Sequence, residues 1–120
     1  MAGYVDVLPK QFFPAATPTV LTTQVVDTGG AAFGSLQAIL DTAPTGSETF
    51  TCQVQHSNVN EEATFADVGT PIALAVGGAT GFTALTDFGR YLRVVVSTSD
   101  GSTGGALGYL RLVLVLKDAS

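Results

Sequence analysis

Arg90-Tyr91-Leu92-Arg93-Val94-Val95-Val96 is echoed by Gly108-Tyr109-Leu110-Arg111-Leu112-Val113-Leu114, with a loop of Ser, Thr, Asp and Gly (97–105) between them. Both runs are rich in β-branched and large apolar residues, as strands are. Two such runs around a polar glycine loop read as a hairpin, which places Arg93 and Arg111 on one sheet. A hairpin symmetric about Ser102 sets the two arginines opposite each other. Like charges facing across a ladder cost stability. Either the register differs, or an anion lies between them: Asp41, Asp87 or a carboxylate of a neighbouring chain. The last strand, 107–116, is apolar on both faces, as expected of a strand that is central or covered by a second surface.

Working towards the N-terminus, the same grammar repeats. Phe50, Cys52 and Val54 alternate with Thr51, Gln53 and Gln55, the signature of a strand with one buried face. Leu36, Ala38 and Leu40 alternate in the same way, and residues 20–26, 64–68, 72–76 and 82–85 give shorter strands. Asp27-Thr28-Gly29-Gly30, Ala43-Pro44-Thr45-Gly46, Gly69-Thr70-Pro71, Gly77-Gly78 and Asp87-Phe88-Gly89 punctuate them as turns. No segment keeps a 3.6-residue period. The expectation is an all-β chain, an antiparallel β-sandwich or jelly roll of about eight strands over 19–120. Its interior should hold Leu36, Leu40, Phe50, Val54, Phe65, Leu74, Leu92, Val94, Leu110, Leu112 and Leu114.

Residues 1–18 differ. Pro9, Pro14 and Pro18 exclude a helix or a central strand, yet Tyr4, Val5, Val7, Leu8, Phe12 and Phe13 make the stretch apolar. It reads as an extended N-terminal arm that packs on its own domain or reaches a neighbouring subunit. On the second alternative, deleting 1–18 leaves a folded domain that has lost its attachment.

Charged residues make up 12% of the 120 residues, about half the roughly 25% usual in soluble domains. Such a surface is covered by Ser, Thr, Gly and Asn or lies against a partner. Residues 1–89 carry one lysine against eight acidic residues (−7), and 90–120 carry four basic against two acidic (+2). The resulting net −5 offers no electrostatic footprint for nucleic acid. Cys52 stands alone, so no intrachain disulfide forms, in keeping with synthesis in a reducing compartment. The N-terminus has neither a basic segment nor an apolar one of signal-peptide type. The longest apolar run, 112–116, is too short for a membrane span.

No catalytic set assembles. His56, the only histidine, falls at core parity at a strand end and reads as half-buried. Cys52 reads as a core thiol, and four residues along a strand put it roughly 13 Å from His56, too far for a nucleophile–base pair. One Cys and one His cannot build a zinc site. Asn58, Asn60, Glu61 and Glu62 lack the spacing of a calcium loop. The glycine loops at 77–81 and 101–105 are not followed by the Lys-Ser/Thr of a phosphate cradle. The expectation is therefore no enzyme, no cofactor, no metal and no small-molecule substrate.

The order of phrases carries a resemblance. Val25-Val26-Asp27-Thr28-Gly29 follows the arm. Phe50-Thr51-Cys52-Gln53-Val54-Gln55-His56-Ser57 then leads into Phe65-Ala66-Asp67-Val68-Gly69. Gly89-Arg90-Tyr91-Leu92-Arg93-Val94 precedes a Gly/Thr loop and a last apolar strand. Over residues 20–117 this resembles the small jelly-roll capsid cement (decoration) proteins of tailed bacteriophages. Thr28 departs from the apolar residue more usual before that glycine. The resemblance implies a virion protein made in the host cytoplasm, bound outside the head, bridging capsomers, with the major capsid protein and sister subunits as partners. Phe12 and Phe13 are then the first docking candidates, and Arg93 and Arg111 the second, pairing with carboxylates. The alternative is a receptor- or glycan-binding sandwich of a phage tail or surface assembly, its site in the loops at 77–81 and 98–105. The absence of Trp lowers that reading.

Overall fold

The computed structural model describes residues 3–13, 20–40, 49–74, 80–99 and 108–117. Among the described residues ten strands follow in chain order: β1 (Gly3–Phe13), β2 (Val20–Thr22), β3 (Val26–Asp27), β4 (Phe33–Leu40), β5 (Thr49–Ser57), β6 (Ala66–Asp67), β7 (Ile72–Leu74), β8 (Thr80–Thr86), β9 (Tyr91–Ser99) and β10 (Gly108–Lys117). The one helical element among the described residues is a 3-10 turn at Glu62–Thr64. The strands form two antiparallel sheets packed as a sandwich. Sheet A runs β1-β10-β4-β8, and sheet B runs β2-β9-β5-β6, with β3 also on β9 and β7 also on β5.

The pairing is nested. First pairs with last, β2 and β3 with β9, β4 with β8, and β5 with β6 and β7. This is the chain path of a jelly roll, a long hairpin rolled so that successive strands alternate between sheets.

That path overturns the hairpin expected from the Tyr-Leu-Arg echo. β9 lies in sheet B and β10 in sheet A. Each run is apolar enough to be an inner strand of its own sheet, so burial is satisfied by separating the two rather than by pairing them. Arg93 stands across from Gln55 and Arg111 across from Ile39, on opposite outer faces.

Residues 3–13 are the edge strand of sheet A, antiparallel to β10. Two register shifts, between Asp6 and Leu8 and between Leu8 and Gln11, interrupt the ladder. The second spans Pro9, which has no N–H to donate and is tolerated at an edge or a bulge. Val7 and Leu8 are buried in the core. Pro14 and Pro18 lie outside the described residues.

The interior follows the alternation closely. Leu36, Phe50, Cys52, Val96, Leu110 and Leu112 have no exposed surface, and Leu40, Val54, Leu74, Leu92, Val94 and Leu114 are buried beside them. Phe65 is the exception, half-buried outside the core. The strand expected over 64–68 shrinks to two residues because the turn at Glu62–Thr64 precedes it, closed by the Thr64 hydroxyl donating to Glu61 O at 2.6 Å. The strand expected over 20–26 breaks at Thr23. Its N–H donates to Val94 O (2.9 Å) while its Oγ1 accepts from the Val94 N–H (2.9 Å). A buried side chain thus replaces one rung of the ladder.

Candidate functional site

Arg93 is locked into sheet B. Its Nε donates to Gln55 Oε1 at 2.9 Å, and Gln55 Nε2 donates to Asp67 Oδ1 at 3.0 Å. The guanidinium lies 4.3 Å from the centroid of the Phe65 ring and 4.0 Å from Glu62 Oε1, with the side chain only 13% exposed. This explains why Phe65 left the core: it is a platform for Arg93. Together they fasten the loop between β5 and β6 onto the sheet. Replacing Arg93 with Ala should cost about 2–3 kcal/mol, from a charge-assisted hydrogen bond and a cation–π contact. Urea denaturation measures this. Arg93→Lys, which lacks the planar fork, should recover less than half.

Arg111 pairs with Asp6 across β10 and β1, through Nε–Oδ1 at 2.8 Å and Nη2–Oδ2 at 3.3 Å. The carboxylates that meet the two arginines are thus Glu62 and Asp6; Asp41 lies outside the described residues. Phe12 and Phe13 stand by register opposite Tyr109 and Gly108 at the end of β1, and their side chains are outside the described set.

The two outer faces differ in chemistry. Sheet B presents Thr51, Gln53, Gln55 and Arg93, with Val95 and the exposed Val20 in the rows beside them. Gln53 Nε2, for example, donates to Val54 O (2.9 Å) and Val68 O (3.1 Å). Sheet A presents Phe82, Gln37 and Val113 along one register row, with Ala84, Ser35 and Val115 in the next and Thr80, Ile39 and Arg111 on the other side, and Phe82 is 66% exposed. Phe33, at the end of the same face, is also exposed.

A third feature was not foreseen from the sequence. One end of the sandwich holds a depression of about 530 Å3 lined by the turn 28–31, Asn58, Phe88, Gly89 and Arg90. A second of about 350 Å3 shares Asn58, Phe88 and Gly89 and adds His56 and Asp87. Pairing of β3 with β9 sets Asp27 against Tyr91, which brings two turns distant in sequence together. Arg90 donates from Nε to Asp27 Oδ1 (3.3 Å) and from Nη2 to Oδ2 (3.1 Å). The Gly29 N–H also donates to Asp27 Oδ1 (2.9 Å). The Arg90 guanidinium, and after it the Gly29 N–H, hold the Asp27 carboxyl below its ordinary range. The pair therefore contributes above that range and is lost as pH falls through the lowered value. With both side chains exposed, solvent screening keeps the contribution small.

The loop 87–90 is clipped to the end of β5. His56 Nδ1 accepts from the Gly89 N–H (2.9 Å), and Asn58 Oδ1 accepts from the Arg90 N–H (3.3 Å). A Cβ on residue 89 would fall 2.7 Å from both Asn58 Oδ1 and Ser57 O, so only glycine fits. The signals for this site were the two turn clusters; what brings them together is tertiary pairing.

Cys52 is buried in the core, and burial pushes its thiol up to about 12. It packs as a small apolar group and is not a thiolate at neutral pH. Among the described residues no three His, Cys, Asp or Glu side chains gather into a metal-holding group. No helix among them is long and apolar enough to cross a membrane.

The fold is similar to that of the SPBc2 prophage-derived protein YomS, with TM-score 0.56 and 7% identity over 97% of this chain and 92% of that one. It is also similar to a chain in the structure of infectious bursal disease virus Gx strain, with TM-score 0.57 and 8% identity over 100% and 32%. This chain spans about a third of that viral chain. A third likeness is to PirA, with TM-score 0.51 and 13% identity over 96% and 92%. No protein-family model and no curated protein matches the sequence. At these identities the likeness shows the β-sandwich fold alone, shared with proteins of different kinds.

Proposed function

We propose that the chain is a structural virion subunit, a capsid cement or decoration protein that binds the outside of a phage head and stabilises capsomer contacts. The observation that carries this reading is the asymmetry of the sandwich. Side chains on the outer face of sheet B are tied to one another and to the backbone. Sheet A turns out a face on which Phe82, Ile39, Val113 and Val115 stand among Ser35 and Gln37 and whose Arg111 is paired with Asp6. A face of low charge with an exposed aromatic is what a docking surface needs. The phrase order that resembles cement proteins supports the reading, as does the fold likeness to a prophage-derived protein.

In this reading the docking burden shifts from the arginines, which serve the fold, to Phe82 and the aliphatic side chains beside it. The partners are the major capsid protein and sister subunits, and the location is the capsid exterior. The test is co-sedimentation of the purified chain with phage heads lacking it. Saturable attachment is expected. Phe82→Ser should leave stability within about 0.5 kcal/mol while weakening attachment about tenfold or more, as for a truncated aromatic anchor. Failure of the parent chain to attach would overturn the function. Unchanged attachment by the variant would overturn the choice of face.

A further inference from the structure

The docking reading leaves the end depression unused. Thr28 lines it, is only 4% exposed, and spends its N–H on Arg90 O (2.8 Å). Its hydroxyl has no hydrogen-bond partner among the described residues. Buried hydroxyls are nearly always satisfied, and an exception calls for a water or a ligand. Asn58 commits Oδ1 to the Arg90 N–H and leaves its amide N–H groups available to a ligand. His56, accepting at Nδ1, carries its proton on Nε2 when neutral and can donate into the adjoining depression. Phe88, half-buried, supplies an apolar surface common to both depressions.

The charges decide the ligand class. Arg90 is closed against Asp27 in a two-point pair, so neither presents an uncompensated charge to a free anion or cation. The chain's net charge of −5 further disfavours an anion. What remains in the first depression is a set of neutral donors and acceptors around an aromatic surface, with the Asp87 carboxylate as an acceptor in the second, in a volume within the range of about 300–1,000 Å3 typical of small-molecule sites. We infer that the depression lined by Thr28, Asn58, Phe88 and Arg90 binds a neutral saccharide. One ring sits there with an apolar face on Phe88, and the depression carrying His56 and Asp87 accepts a linked second ring. The site lies at the end of the sandwich and none of its lining residues is Phe82 or an aliphatic beside it, so Phe82→Ser and Thr28→Val test docking and saccharide binding separately.

The test is titration of the 15N-labelled full-length chain, followed by amide NMR. The probes are the methyl glycosides of glucose, galactose, mannose and N-acetylglucosamine, then maltose and cellobiose. Sodium phosphate and calcium chloride are titrated separately. Saturable shifts at Gly29, Gly30, Gly89 and the Asn58 side-chain amide are expected for at least one saccharide, with a disaccharide binding more tightly than its monomer. Thr28→Val keeps the shape and the backbone N–H. It should bind that saccharide about tenfold more weakly, the worth of one buried hydrogen bond, with an unchanged or raised Tm. Three results would overturn the inference: no saccharide moving these resonances, phosphate or calcium alone moving them, or Thr28→Val binding like the parent. A lower Tm in Thr28→Val would overturn it too, by showing that the hydroxyl serves the fold.

Discussion

A chain lacking residues 1–13 is expected to aggregate rather than fold as a soluble domain. β1 covers the length of β10, from Gly3 opposite Leu116 to Phe13 opposite Gly108. Its Val7 and Leu8 belong to the core. Truncating one buried aliphatic side chain to Ala costs about 2–5 kcal/mol. Losing two, together with the ladder, approaches the total stability of about 5–15 kcal/mol typical of a domain. The deletion also turns β10 into an edge, with Leu110, Leu112, Leu114 and Leu116 inward and Val113 and Val115 outward. A ten-residue apolar edge without proline is a template for pairing with other chains. The intact edge is protected by what makes β1 an irregular strand: Pro9, Lys10 and two register shifts.

Light scattering and circular dichroism of the deletion measure the effect. A monodisperse folded product with a Tm within a few degrees of the parent would mean that β1 adds nothing to the core. The result also bears on how assembly is tested. An oligomer lost on truncation cannot be credited to a docking arm when the truncation removes a strand of the sheet. Point changes at exposed residues on the outer face of sheet A, Phe82 above all, are the cleaner probe.

Much of this architecture was legible because strands write their burial in steps of two. Phe50, Cys52 and Val54 against Thr51, Gln53 and Gln55 named the inner face of β5 outright. Pro9 likewise kept residues 3–13 out of the centre of a sheet, although the sequence marked them only as an extended arm. What could not be read was partnership. The Tyr-Leu-Arg echo has the composition of a hairpin, and composition carries no information about which sheet a strand enters. The nested pairing, in which β9 meets β2, β3 and β5 while β10 meets β1 and β4, depends on the whole chain. Phe65 and the strand expected over 20–26 were misjudged for a more local reason. Phe65 follows a 3-10 turn that resets the alternation, and Thr23 hydrogen-bonds in place of the backbone. The end depression is legible only after β3 and β9 are paired, because its walls are more than fifty residues apart in sequence.

Phe50→Ala is expected to cost about 3–5 kcal/mol, the largest effect of any single truncation among the described residues. Phe50 is the largest fully buried side chain among the described residues, between Leu74 and Thr98 in register across β7 and β9. Truncating it removes apolar surface from contact and leaves a cavity that a sheet-on-sheet core cannot close without shifting strands. With a urea m-value of about 1–3 kcal/mol/M for a small domain, the denaturation midpoint should fall by more than about 1 M. The matched control is Phe82→Ala, the same chemical change at a side chain 66% exposed, where the cost should stay within about 0.5 kcal/mol. The pair separates packing from propensity, since both phenylalanines lie within strands of alternating burial and lose the same preference for β structure. A loss below about 1 kcal/mol at Phe50 would mean that the two sheets do not close over it. A comparable loss at Phe82 would mean that the outer face of sheet A is already covered, and then it is not free to dock.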